Sequence, residues 1–159
     1  MKNWISAIAL SIFVVASLSA RTPTQEIDAE IWSVFIDTVA KDDIVRMGNA
    51  YLPTAVLVSP NGTASIKDTI DRWGKDMVAA KAKGNRATVE FRFSKRLDNA
   101  TTAFESGIFK YTVIEKNGTS TPNYYPFEEL LVKVDGKWRV SMERQFAGVT
   151  TAEWDKLPK

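Results

Sequence analysis

The sequence holds no cysteine and no histidine. Without cysteine there are no disulfides and no lipid-bearing cysteine, so a folded core must hold unaided. Without histidine, the commonest general base and the commonest metal ligand are both missing. Ser-His and Cys-His nucleophile systems are excluded outright. Carboxylates alone seldom make a zinc site, so no metal is expected. A surplus of one charge is lacking too. The chain has 21 basic and 19 acidic residues, a net charge of +2, and no stretch that gathers Lys or Arg on one face. That leaves no electrostatic footprint for nucleic acid. No apolar run is long enough to cross a bilayer. The longest, Trp4 to Leu18, covers about 15 residues, where a span needs ~20.

What is present is ordinary globular composition, 45% apolar and 25% charged, over 159 residues. This suffices for one domain and is too little for two of usual size. Five Trp, eight Phe and four Tyr supply apolar bulk for a core or a lined cavity. Residues 1–20 stand apart. Lys2, the apolar stretch and Ser17-Leu18-Ser19-Ala20 have the layout of a secretory signal with small residues at its cut. An uncleaved anchor is the other reading. A signal predicts an exported protein, periplasmic or secreted, with no membrane attachment after cleavage.

Residues 21–26 read as a linker, and 27–159 as the domain. Ile27, Ile31, Val34, Phe35 and Val39 form a helical stripe. Asp42-Asp43 can cap a second short helix carrying Ile44, Met47 and Tyr51 on one face, ended by Pro53. Ala55 to Ser59 reads as a strand closed by Pro60-Asn61-Gly62. A third helix starts at Ser65, with Asp68 as its capping-box partner and Ile66, Ile70, Trp73 and Met77 as its stripe. The period then changes from 3.6 to 2. Val89, Phe91 and Phe93 alternate with Glu90 and Arg92. Asp98-Asn99, Asn117-Gly118 and Asp135-Gly136 punctuate a four-strand meander. Trp138, Val140 and Met142 alternate in its last strand. Thr150 and Glu153 suggest one more helical turn. Helices before a run of hairpins argue for α+β, with the helices on one face of a curved sheet.

This order resembles the nuclear transport factor 2-like superfamily, and within it the SnoaL-like proteins and ketosteroid isomerase. The resemblance covers about residues 27–149. It rests on the break at Ala40–Asp43, on Tyr51 through Gly62, on the helix from Ser65, and on Gly136-Lys137-Trp138-Arg139-Val140-Ser141-Met142. It implies a cone: a strongly bent antiparallel sheet with about three N-terminal helices on its concave face and a mostly apolar pocket at the open end. It also implies a homodimer through the sheet. It is poorly specific for function, since this fold hosts many chemistries.

Carried over by position, the isomerase pattern is broken. The general base, an Asp before the turn proline, is matched by Ser59. A helical Tyr that donates to the substrate oxygen is matched by Phe35. A protonated Asp in the same oxyanion site is matched by Glu128. A hydroxyl with no base beside it cannot take a proton from carbon near neutral pH, so steroid-type isomerisation is not expected.

Strand alternation puts Met142, Arg144 and Phe146 on one face. If that face is the concave one, as the resemblance implies, Arg144 and Glu128 meet near the pocket floor. They would then form a catalytic or anion-holding pair, or simply neutralise each other. If the register is off by one, both point to water and Glu129 turns inward. The candidate ligand-binding residues are Phe35, Tyr51, Trp73, Met77, Tyr111 and Met142. Each also has a plain reading as core. Asp42, Asp43, Asp68 and Asp71 look like a cluster, but the first three sit at helix starts, where capping accounts for them. Asn61, Asn99 and Asn117 each begin a glycosylation sequon, and all three fall at turns, where Asn is favoured anyway.

The expectation is an exported domain that binds a small organic ligand, with no cofactor. Two alternatives stay open. One is a His-free isomerase, lyase or hydrolase using Glu128 and Arg144, with Tyr111 as a further candidate. The other is a structural dimerisation module whose cavity is filled by its own side chains.

Overall fold

A computed structural model describes residues 21–158; the expected signal segment, residues 1–20, lies outside the described residues. The chain is helical from Pro23, earlier than the linker expected over residues 21–26. Thr22 explains this. Its Oγ1 accepts from the Gln25 amide at 3.2 Å and its own amide donates to Gln25 Oε1 at 3.0 Å, a reciprocal cap with proline in the first turn. Helix α1 (Pro23–Ile27) runs through a π-helical turn (Asp28–Trp32) into α2 (Ser33–Lys41). The stripe expected from the sequence buries Ile27, Ile31, Phe35 and Val39. Asp42 ends α2 in the left-handed region at φ 56°. Asp43 caps α3 (Ile44–Gly48) by accepting from the Arg46 amide at 3.0 Å.

Tyr51 already belongs to a strand, not to the end of a helix. Strand β1 (Tyr51–Ser59) pairs with the edge strand β2 (Gly62–Ser65) and, in parallel, with the last strand. The ladder with that last strand is irregular between Tyr51 and Val56, the stretch that holds Pro53, which cannot donate to it. Ser65 caps α4 (Ile66–Ala82), accepting from the Asp68 amide at 3.1 Å. The meander follows as β3 (Arg86–Asp98), β4 (Thr102–Ile114), β5 (Ser120–Val134) and β6 (Lys137–Gln145). The sheet order is β2-β1-β6-β5-β4-β3, antiparallel except at β1–β6. The sheet is curved and unclosed, and the helices precede it in the chain. This is the α+β cone expected from the sequence.

Two bulges bend the sheet. Ser94 is the extra residue of β3, between the pairs Phe93–Gly107 and Lys95–Ser106. Ser141 is the extra residue of β6, between Leu130–Met142 and Leu131–Val140. Each bulge kinks its strand and reverses the alternation beyond it. On the outer face, α5 (Thr151–Asp155) lays Trp154 against Arg92 and Tyr124, with the Arg92 guanidinium 4.4 Å from the indole centroid. Arg92 does point outward, yet it is covered rather than solvated.

Candidate functional site

Between the helices and the concave face lies a cavity of about 470 Å³. Its walls are Phe35 and Val39 of α2, Trp73 and Met77 of α4, and an aromatic run across the sheet. In that run Phe91, Phe109 and Tyr125 stand side by side on β3, β4 and β5. The Phe109 and Tyr125 rings lie 5.3 Å apart. Tyr111 and Val113 continue the wall toward the mouth, where Asp42, Asp76 and Arg86 lie half-buried or exposed. The volume suits a drug-sized organic molecule.

The polar groups of the cavity converge on β5 and β6. Glu105, Glu129 and Glu143 are directly opposite one another on three adjacent strands. They are 0%, 2% and 6% exposed, although charged residues are rarely buried without partners. The three are satisfied to very different degrees. Glu105 receives Arg96 Nε at 3.0 Å and Nη2 at 3.1 Å, and the Trp32 indole N–H at 2.6 Å. Glu143 receives the Tyr51 hydroxyl at 2.5 Å and Gln145 Nε2 at 2.6 Å. Glu129 Oε2 has no hydrogen-bond partner among the described residues. Glu129 and Glu143 line the cavity, together with Tyr51 and Gln145.

Burial pushes the Glu129 carboxyl well above the usual carboxylate range, and the neighbouring charges of Glu143 and Glu105 push it the same way. Glu143 is raised by burial too, against the opposing pull of its two donors. The Tyr51 hydroxyl is pushed well above its ordinary value by burial and by the charges of Glu143 and Glu129. Two opposed carboxyls that share donors this unequally form a pair in which Glu129 is the harder to ionise and Glu143 the better base. Among the described residues, no group of three or more ligating side chains is arranged to hold a metal ion.

Five of the residues singled out from the sequence, Phe35, Tyr51, Trp73, Met77 and Tyr111, line this cavity. Three do not, and their placement is a correction. Met142, Glu128 and Arg144 lie on the outer face, with Met142 opposite the exposed Leu130. Glu128 and Arg144 do pair, at 3.6 Å, but with side chains 33% and 50% exposed. A surface pair of this kind contributes little, and no catalytic or ligand-holding role attaches to it. For Met142 and Arg144 the Ser141 bulge is the reason; on β5, which has no inserted residue, the plain alternation of buried Phe127, Glu129 and Leu131 puts Glu128 outside, so its positional match to the isomerase acid does not hold. Trp138 and Val140 point inward as alternation requires; past the extra residue, Glu143 and Gln145 take the inward places. Glu129 was reachable from the sequence, as the consequence of a slipped register. Glu143 was not, because no sequence signal marks the bulge. Ser59, matched to the isomerase base, sits in the β1–β2 turn. Its Oγ accepts from the Asn61 amide at 3.2 Å and donates to the Gly62 carbonyl at 3.3 Å, a turn-holding role.

No family model matches the sequence. No curated protein matches it either. Solved structures do match. An NTF-2-like protein of unknown function from Shewanella oneidensis MR-1 superposes with TM-score 0.62 at 15% identity, covering 79% of this chain and 100% of its own. A ketosteroid isomerase-like protein from Erwinia carotovora atroseptica SCRI1043 gives 0.56 at 20% identity, over 79% and 98%. A protein of unknown function with a cystatin-like fold, from Nostoc punctiforme PCC 73102, gives 0.56 at 18% identity, over 77% and 89%. The chain has the nuclear transport factor 2-like fold, the one its element order resembles.

Proposed function

We propose that this domain binds a small, mostly apolar organic molecule in the cone cavity and anchors its polar end at Glu129, Glu143 and Tyr51. The observation that carries this reading is a 470 Å³ apolar cavity lined at one end by Glu129, a buried acid whose Oε2 nothing among the described residues satisfies. A buried unpaired polar group costs about 1–3 kcal/mol, and a ligand that supplies the partner recovers that cost. A cavity of this volume also argues against a structural module plugged by its own side chains. Native mass spectrometry of the purified protein is expected to detect a co-purified ligand. Ala87→Trp, which fills the cavity from β3, is expected to abolish that ligand while the circular dichroism spectrum stays unchanged. An Ala87→Trp protein that keeps the same bound mass would show the ligand to lie elsewhere.

An acid–base enzyme is the second reading. It is favoured by the unequal hydrogen bonding of the Glu129–Glu143 pair, both raised by burial, since perturbed titrations gather at catalytic sites. Glu143 would be the base and Glu129 the acid; turnover of any substrate that survives Glu143→Gln would remove this reading. Export and a homodimer through the outer sheet face belong to the same proposal. They are tested by sequencing the mature N-terminus and by light scattering. An intact Met1 in exported material, or a monomeric mass, would contradict them.

A further inference from the structure

The charges around the cavity are lopsided. Among the described residues, four carboxyl groups line it, Asp42, Asp76, Glu129 and Glu143, against one guanidinium, Arg86 at the mouth. Arg96, the basic residue nearest the buried acids in the ladder, is bound to Glu105 and Asp28. Glu129, on the middle strand, faces Glu105 on β4 and Glu143 on β6. Beyond Glu143 stands the Tyr51 hydroxyl of β1. Toward the mouth come Tyr125 of β5, Tyr111 of β4, Asp42 at the end of α2 and Asp76 of α4. Tyr111 is held above its ordinary value by burial first, and then by the charges of Asp42 and Asp76. None of these groups facing Glu129 is a cation. Buried carboxylates are tolerated when paired; here the pairing charge is missing, while the walls offer aromatic faces, which attract cations.

Resting on the ligand-binding reading above, we infer that the cavity is built for an organic ammonium ion, an amine on an apolar body, whose N–H groups reach the Glu129 and Glu143 carboxyls that line it, a small turn of the Glu129 side chain presenting its oxygens to the ligand. An ammonium supplies the donors that Glu129 Oε2 lacks and the positive charge that two adjacent carboxylates require. Before binding, a proton on Glu129 holds the place of that charge. Binding of R–NH3+ expels the proton to solvent: the Glu129 O–H bond breaks, the carboxylate keeps the electron pair, and one cation replaces another. The aromatic walls strip water from the ligand body and leave the charged end facing carboxylates alone. A carboxylate ligand would be repelled. A neutral carbonyl ligand would instead use Glu129 as a donor and would need its proton retained. The two chemistries therefore differ in the sign of their pH dependence.

The test uses three probes of one shape, 4-phenylbutylamine, 4-phenylbutanol and 4-phenylbutyrate, titrated calorimetrically into the full domain in phosphate and in Tris. The amine is expected to bind at least tenfold more tightly than the alcohol at pH 7.5, and the acid not at all. Amine affinity is expected to rise from pH 6 to 8, as Glu129 loses its proton more readily, and to fall only near the amine's own pKa of about 10. The two buffers are expected to report net proton release. In Glu129→Gln the amine preference is expected to vanish while the alcohol still binds, which shows that the cavity persists. Equal or tighter alcohol binding, or amine affinity falling as pH rises, overturns the ammonium proposal and leaves ligand binding standing. Failure of all three probes at millimolar concentration overturns both.

Discussion

Arg96→Ala is expected to lower stability by about 3–5 kcal/mol at neutral pH, the cost of stranding a buried charge by removing its partner. Glu105 is wholly buried and takes two of its three donors from that guanidinium. Without Arg96 only the Trp32 indole remains. Arg96 also reaches Asp28 at 2.6 Å and lies 4.2 Å over the Phe93 ring, so its loss loosens the contact between the π turn and β3. Folded domains hold only about 5–15 kcal/mol in all, so the melting temperature should fall by roughly 10 °C. The pH dependence has a definite sign. Burial already raises the Glu105 carboxyl despite the pull of Arg96; without Arg96 it rises further, because the ionised form loses its partner. A group raised on folding keeps its stability below its unfolded pKa and loses it as pH rises. The damage should therefore be greatest above neutrality and shrink toward pH 4.5. Arg96→Met combined with Glu105→Gln should recover much of the loss, because no charge is then stranded. A single variant that melts within about 3 °C of wild type would show that the ion pair does not hold the closed end of the cone.

Gly107→Ala is expected to cost about 3 kcal/mol or more, among the larger effects of a single substitution. A Cβ at Gly107 would lie 2.0 Å from the Arg92 carbonyl oxygen and 3.0 Å from the Phe93 Cα. These are backbone atoms of the neighbouring strand and cannot turn aside as a side chain could. The collision falls beside the Ser94 bulge, where β3 and β4 bend to close the aromatic wall. Separating the strands there moves Phe91 and Phe93 away from Phe127, whose ring centroids lie 5.8 and 6.1 Å from theirs. Thermal unfolding checks this, with an unchanged midpoint as the contrary result. By comparison, alanine at Gly74 would meet only Ile44 side-chain atoms, at 3.4 Å and beyond, and gains helix propensity.

The sequence made the scaffold legible wherever a local rule acts alone. Ser65 and Asp68 fix the start of α4, and Asp43 the start of α3. Asn117-Gly118 and Asp135-Gly136 close the hairpins between long strands. Val89, Phe91 and Phe93 alternate inward as their period requires. The aromatic wall was legible for the same reason, since Phe35, Trp73 and Met77 lie on helical stripes. The polar end of the cavity was not. Its β6 half, Glu143 and Gln145, depends on one inserted residue, Ser141, whose hydroxyl donates to the Leu130 carbonyl at 2.9 Å. Serine occurs in regular strands as readily as in bulges, so nothing local announces the switch. One residue of slip carries every later side chain to the opposite face. That exchanged Arg144 for Glu143 on β6; on β5 no residue is inserted, Phe127, Glu129 and Leu131 alternate inward, and Glu128 was misplaced by its match to the isomerase acid. The unpartnered oxygen of Glu129 is a property of three strands together and of no single segment.

The pH profile of stability for wild type against Glu129→Gln reports directly on that buried acid. Glu129 is raised on folding. Its contribution is therefore complete below the unfolded carboxylate pKa and is lost progressively as pH rises through the folded value. Wild type should lose stability from pH 5 to pH 8. The Glu129→Gln variant has no proton to give up at that position, and Glu143 keeps its two donors. The variant should run flatter and melt at least about 3 °C higher at pH 8. Superimposable profiles would mean that Glu129 ionises like a carboxylate in water, and would contradict a buried, proton-holding acid in the cavity.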